Sequence, residues 1–319
     1  MHMARDGGCA LNLEPKARAF LDAVAAAGLP PMHLGTPVAA REAMRQVRRQ
    51  IPSPPLAHVE DFRVRSDEGD VPVRLYVPLG SPRACLLYLH GGGWVVGSVE
   101  DSDGFARVLA NRTACAVVSV DYRLAPEAPF PAACEDAYAA FIWLRDALPE
   151  LLGEMPIGLI GDSAGANLAA TIANRAARGG LLDVSFQILA YPVIDPRMNW
   201  PSYGAFSDGM LLTADLMRWF WSHYAGTTDV SGHPLASLLH TTEFANVAPA
   251  FVLVAENDVL RDEGEAYAAL LAAHGVNTHC KRYPGQIHGF LTLFGVFDGS
   301  EAALEDVAAY ISRQLDRTD

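Results

Sequence analysis

A serine on a glycine-flanked bend is the first group in this chain equipped for covalent chemistry. The apolar run at 157–160 enters Gly161-Asp162-Ser163-Ala164-Gly165, and a helical pattern follows at once. Glycine on either side permits a turn tight enough to lift a hydroxyl above a sheet edge. Such a hydroxyl attacks a carbonyl only when a base takes its proton and an acid orients that base. Among ten histidines, His288 lies in the loop GQIHGF after the last strand signal, where a side chain can reach back over a sheet. His274 falls at a helix end, His279 in a strand, His90 in a glycine run, and His223, His233 and His240 in an irregular interval. For the acid, Glu256, Asp258, Asp262 and Glu263 compete. Asp262 with Glu265 reads as a helix N-cap and its capping-box partner. Asp258 leaves the run FVLVAEN at the carboxyl end of a strand, where open α/β sheets place their sites, and is the better choice.

A second motif, His90-Gly91-Gly92-Gly93-Trp94, directly follows the run ACLLYLH. Consecutive glycines leave backbone N–H groups bare and able to turn toward an oxyanion. Together these residues predict acyl transfer. Ser163 attacks a carbonyl carbon while His288 accepts its proton and later returns it to the leaving group. Asp258 fixes the imidazole tautomer, and N–H groups of the glycine loop and of Ala164 hold the oxyanion. Water then releases the acyl group. This chemistry needs no metal and no organic cofactor.

The elements that must position these groups are read from periodicity. HVEDFRVRS and VPVRLYVP alternate apolar with polar and predict a hairpin turning at Glu68-Gly69-Asp70. ACLLYLH, CAVVSVDY, IGLIGD, FQILAYP and FVLVAEN are nearly continuous apolar runs, the pattern of strands covered on both faces. NTHCKRYP predicts an eighth strand. Helical stripes alternate with them in EDAYAAFIWLRDAL, GANLAATIANRAA and EGEAYAALLAAHG, and a last helix runs from about 302 to 315. Alternation of strand and helix predicts an α/β fold, a mostly parallel sheet flanked by helices. Two stretches break the rhythm. Residues from about 14 to 50 read as two helices, with a stiff connector at Pro52, Pro54 and Pro55. The interval from Asp195 to about Ala245 is rich in Trp, Met and Phe, carries a helix around LMRWFWSHY, and is too long for an ordinary connection, so it reads as a lid.

Half of the 319 residues are hydrophobic, enough for a large core, and one domain over 1–319 suits this length. A net charge of −13 disfavours phosphate backbones and anionic lipid as partners. No apolar run approaches the ~18 residues of a spanning helix, and the first residues lack the apolar core of a signal peptide. Five cysteines at 9, 85, 115, 134 and 280 include no CxxC and make an odd total, which suits reduced thiols in a cytoplasmic protein.

The sequence resembles the bacterial hormone-sensitive-lipase-like esterases of the α/β-hydrolase fold. The resemblance runs from about residue 30 onward and rests on HGGGW at 90–94, DYRLAPEAPFPAA at 121–133, GDSAG at 161–165, AENDVLRDEG and GQIHGF. The order Ser163, Asp258, His288 is the one this fold uses. The resemblance implies an eight-stranded sheet with a helical cap built from about 1–50 and about 195–245. It further implies Gly92 and Gly93 as oxyanion donors beside Ala164, short- and medium-chain acyl esters as small-molecule substrates, and a homodimer. Two positions depart from the family pattern. Ala166 stands where a glycine is usual, and Val259 where proline often follows the acid. Asp121, Tyr122 and Arg123 read as structural supports near the site. Trp94, Tyr191, Met210, Trp219 and Phe290 are candidate pocket walls. A formamide-cleaving amidase of the same fold (arylformamidase-like) and a non-catalytic binding member are the competing readings. All three triad candidates are present, which counts against the second.

Overall fold

Apolar runs too short for helices pair edge to edge here, and the computed structural model describes the outcome for residues 12–48, 53–66 and 68–317. In chain order the elements are α1 (Pro15–Ala26), α2 (Pro37–Arg48), β1 (His58–Ser66), β2 (Gly69–Val77), β3 (Cys85–Leu89), α3 (Val99–Thr113), β4 (Ala116–Val120), α4 (Ala132–Leu151), β5 (Ile157–Asp162) and α5 (Ala164–Arg178). They continue as β6 (Val184–Ala190), α6 (Pro201–Ala205), α7 (Ala214–Ala225), β7 (Ala250–Asn257), α8 (Arg261–Ala273), β8 (Thr278–Ile287) and α9 (Asp298–Leu315). The strands form one eight-stranded sheet in the order β1-β2-β4-β3-β5-β6-β7-β8. Only β2 runs antiparallel to its neighbours. Every residue of β3, β4 and β5 is buried, as continuous apolar runs require when helices cover both faces. Helix α3 packs with α9, and α4 with α5.

The hairpin forms as expected, but its turn is tighter. Ser66 pairs with Gly69, so Gly69 and Asp70 belong to β2 rather than to the turn. Helix α3 has no strong stripe in the sequence, because Ser102, Asp103 and Gly104 interrupt it. Its start is fixed locally instead: Ser98 accepts the Asp101 N–H at its N-cap. The last helix begins at Asp298, before the apolar stripe, and the Asp298 N–H is bound by Glu14 just ahead of α1.

Two irregular stretches contact the loops that follow β3 and β4. From the first, Arg41 of α2 reaches the carbonyls of Val95 and Ala125 and pairs with Glu127. From the second, α7 lays Phe220 against the loop after β3. Cys9, Pro52 and the expected cap residues 1–11 and 49–50 lie outside the described residues. Among the described residues no helix is long and apolar enough to cross a membrane.

Candidate active site

Strand β5 ends at Asp162 and α5 begins at Ala164, leaving Ser163 alone on the bend. Its backbone takes φ 56 and ψ −118, a region that L-residues rarely occupy. The flanking glycines are a steric requirement. A Cβ on Gly161 would lie 2.2 Å from the Gly165 carbonyl oxygen, and one on Gly165 would lie 1.9 Å from that of Leu89. Ala166, the departure from the family pattern, is buried on α5 and leaves the bend intact.

The structure brings the three sequence-predicted side chains into one hydrogen-bonded chain. His288 Nε2 lies 3.0 Å from Ser163 Oγ, and His288 Nδ1 lies 2.7 Å from Asp258 Oδ2. A carboxylate can only accept, so Nδ1 carries the proton and Nε2 is left to accept from the serine hydroxyl. Asp258 is buried, and its other oxygen, Oδ1, accepts the Leu260 N–H at 3.0 Å. Both carboxylate oxygens are therefore engaged, which fixes the plane in which the imidazole must lie. Tyr191 packs its ring edgewise on His288 at 4.7 Å, closing the other side.

Across from the serine, the glycine loop divides its amides between two tasks. The Gly91 N–H donates to Asp162 Oδ1 at 2.9 Å, and the Tyr88 hydroxyl donates to the same oxygen. Gly92 and Gly93 have no acceptor for their N–H groups among the described residues. The N–H of Ala164, at the start of α5, is one of the first-turn amides that a helix cannot satisfy internally. Both loop glycines hold positive φ, 120 at Gly92 and 58 at Gly93. A Cβ would meet Val96 O at 2.1 Å from the first and Phe220 Cγ at 2.1 Å from the second.

The segment 121–127 holds this loop from behind. The Tyr122 hydroxyl donates to the His90 carbonyl (2.7 Å), and the two rings stack at 4.4 Å. Asp121 Oδ1 accepts the Val99 N–H at the start of α3, and burial raises its carboxyl above the ordinary range. Arg123 grips Asp136 with two nitrogens and reaches Glu68. Asp121, Tyr122 and Arg123 thus make the supporting contacts expected of them.

Two other expectations need correction. Asp262 is not an N-cap, because α8 starts one residue before it, at Arg261. Asp262 instead accepts the Ser202 N–H from α6, while Glu265 binds Arg282 on β8 through both oxygens. Of the pocket candidates, Trp94 is fully buried, stacked on Tyr224 at 4.0 Å and against Trp221, so it joins α7 to the loop after β3 and lines no open space. Phe290 is likewise wholly buried between Tyr191 and Tyr283. Tyr191 backs His288, Met210 is buried in the cap segment, and only Trp219 keeps part of its surface exposed. The residues that reach the site from the stretch 195–245 are ones the sequence did not single out. Phe220 lies on Gly93, and the half-exposed Leu211 stands 3.8 Å from the position of a Cβ on Gly289, next to His288. Their signal was present only as one aromatic or aliphatic residue among several on the same stretch. A cleft of about 770 Å³ beside β1 and α4, lined by Arg63, Tyr138, Trp143 and Arg175 among others, contains none of the three reactive groups. Among the described residues no cluster of side chains could hold a metal ion.

Residues 86–292 match the family model described as the alpha/beta hydrolase fold. The chain belongs to the hormone-sensitive-lipase-like carboxylesterases of that fold. It is 37% identical over 290 residues to the carboxylic ester hydrolase LipN of Mycobacterium tuberculosis, covering 88% of this chain and 77% of that protein. It is 36% identical over 264 residues to an ethyl acetate hydrolase of Pseudomonas putida, covering 81% and 83%. Among solved structures, the hyperthermophilic esterase of Pyrobaculum calidifontis superposes with a TM-score of 0.89 at 38% identity, covering 96% of this chain and all of that one.

Proposed function

We propose that this carboxylesterase hydrolyses short- to medium-chain acyl esters through a Ser163–His288–Asp258 triad and an acyl-enzyme intermediate. The observation that carries the reading is the continuous chain from Ser163 Oγ through His288 to Asp258, at 3.0 and 2.7 Å, beside a glycine loop whose Gly92 and Gly93 amides have no acceptor among the described residues. Ser163 Oγ bonds to the ester carbonyl carbon as its proton passes to His288 Nε2. The carbonyl oxygen becomes an oxyanion held by the N–H groups of Gly92, Gly93 and Ala164, each such donor being worth about 3 kcal/mol in comparable sites. The C–O bond to the alcohol then breaks, and His288 returns the proton to the leaving oxygen. Water, deprotonated by the same imidazole, attacks the acyl-serine and releases the acid. Asp258 stabilises the imidazolium in both halves.

The small-molecule ester substrate is supported by the relatives named for ester hydrolysis, one of them for ethyl acetate. The segments 12–48 and 195–245 act in this reading as a cap over the site. The free thiols of Cys85, Cys115, Cys134 and Cys280 suit a reducing, cytoplasmic compartment.

Kinetics on 4-nitrophenyl esters from acetate to decanoate test the proposal. Activity should be highest on the shorter chains, and Ser163→Ala should lower kcat by at least about 10³-fold with the fold intact by circular dichroism. Retention of activity in that variant would remove Ser163 as nucleophile. Turnover of N-formylkynurenine without turnover of any ester would replace the ester reading with amide hydrolysis.

A further inference from the structure

Where the second cap segment meets α8, the chain buries a carboxyl group that the proposed mechanism does not use. Glu263, in the first turn of α8, is wholly buried. Its Oε1 accepts the N–H groups of Ile194 (2.8 Å) and Asp195 (3.4 Å), where the chain enters the cap segment after β6. Its Oε2 is buried with no partner in bonding distance. The hydroxyl of Tyr203 on α6 is buried beside Glu263, and neither it nor Oε2 has another partner among the described residues. Beside it, a latch joins α6 to the loop that carries Asp258. Ser202 Oγ donates to the Val259 carbonyl at 2.6 Å, and the Ser202 N–H donates to Asp262 Oδ2 at 2.8 Å. Val259 stands directly between Asp258 and Leu260, whose N–H holds Asp258 Oδ1.

The charges around Glu263 are mostly negative. Asp195 faces it from the β6–α6 loop, held by Arg197 and Trp200. Asp258 faces it from the β7–α8 loop, with His288 on its far side. Asp262, its neighbour on α8, is paired with Arg261. Among the described residues no cation pairs with Glu263 itself. A further carboxylate in that place, with one oxygen lacking any donor, would carry an uncompensated desolvation penalty. Burial first, and the nearby Asp195 and Asp258 charges second, hold this carboxyl well above the ordinary range.

We propose that Glu263 is a positioning residue for ester hydrolysis, a neutral acid that ties the start of the cap segment to the Asp258 loop through Ile194 and Asp195. It acts through Asp258, so it rests on the reading of Asp258 as the acid that orients His288. As a neutral acid, Glu263 keeps Oε1 for the two amides and turns its O–H toward Tyr203. Glutamine reproduces both functions without a titratable proton. The two side chains differ in pH dependence. In the unfolded chain glutamate ionises near pH ~4.3. Above that pH the native state binds one more proton than the unfolded state, so native stability falls as pH rises, until the folded group itself titrates.

The experiment compares wild type, Glu263→Gln and Glu263→Ala by melting temperature from about pH 5 to about pH 9, with kcat and KM for 4-nitrophenyl butyrate at each pH. Glu263→Gln should gain in Tm over wild type steadily as pH rises, and keep kcat within about threefold. Glu263→Ala should lose about tenfold or more in kcat with KM changed less than about threefold. A Tm difference between Glu263→Gln and wild type that stays constant with pH would overturn the neutral-acid proposal. So would a kcat loss in Glu263→Gln as deep as that in Glu263→Ala, and full activity in Glu263→Ala would remove the positioning role. If Glu263→Ala does not fold, the Tm series and kcat of Glu263→Gln decide between a neutral and a charged acid. Titration of wild type with a fluorophosphonate probe tests the triad separately. Absence of labelling would overturn the triad reading and with it the role assigned through Asp258, while the Tm comparison still reports the protonation state of Glu263.

Discussion

At Ser163 the backbone holds a conformation that costs of order 1–3 kcal/mol in a non-glycine residue, and the surrounding glycines make it attainable. The same steric economy governs Gly93, which has Phe220 against its α-carbon. Gly93→Ala should therefore lower kcat/KM by at least about tenfold, because the new methyl pushes either the loop amide or the cap ring out of place. Adding Phe220→Ala should recover much of that loss, with the four kcat/KM values of a double-mutant cycle as the readout. Strict additivity of the two changes would show that the ring and the loop are not coupled. At this scale the sequence was informative where chemistry restricts residue type. A nucleophile between glycines, a histidine in a late loop and an acid at a strand end leave few alternatives. It was uninformative for pocket walls, since Trp94 and Phe290 are of the same type as true wall residues yet are entirely buried. Residue type reports apolarity, and only packing reports which face meets open space.

Elements show the same division. Strands β3 to β7 were legible because burial on both faces forces unbroken apolar runs. Helix α3 was not, because Gly104 and its polar neighbours dilute the stripe while a local cap fixes the start. Asp262 misled for a physical reason: an aspartate ahead of a helix signal serves equally well as a cap or as a tertiary acceptor, and here Ser202 takes it. Helix α2 buries Ala40 and is tied down by Arg41, which binds two carbonyls and Glu127. The paired guanidinium holds the Glu127 carboxyl below its ordinary range. Arg41→Ala should release α2 at a cost of about 1.5–3 kcal/mol, the worth of hydrogen bonds to a charged group. Hydrogen exchange should then quicken across 37–48 while β3 to β6 keep their protection. Unchanged exchange in α2 would mean that its apolar contacts alone hold it.

On the scale of the whole molecule, the core closes tightly over three thiols. Cys85, Cys115 and Cys134 are fully enclosed, and burial pushes the Cys134 thiol up to about 12. Cys280 lies exposed on β8. Iodoacetamide on the native protein should modify Cys280 ahead of those three, and all of them should react after unfolding in guanidinium, as peptide mapping would show. Early labelling of Cys134 would mean that the contact between α4 and α7, where Tyr224 meets its sulfur, opens readily. A mostly parallel sheet with helices on both faces was legible from alternation alone, whereas the strand order was not. The attachment of the two irregular stretches was not legible either, because it depends on pairs far apart in sequence, such as Arg41 with Ala125 and Ser202 with Val259.

Asp162, the residue before the nucleophile, spends one oxygen on Tyr88 and on the first glycine amide. The bend bearing the hydroxyl and the loop bearing the donors are consequently one mechanical part, locked in registry by a shared acceptor. Drift at either would be felt at once by the other, whereas Leu211 and Phe220 reach in from a segment that this acceptor does not hold.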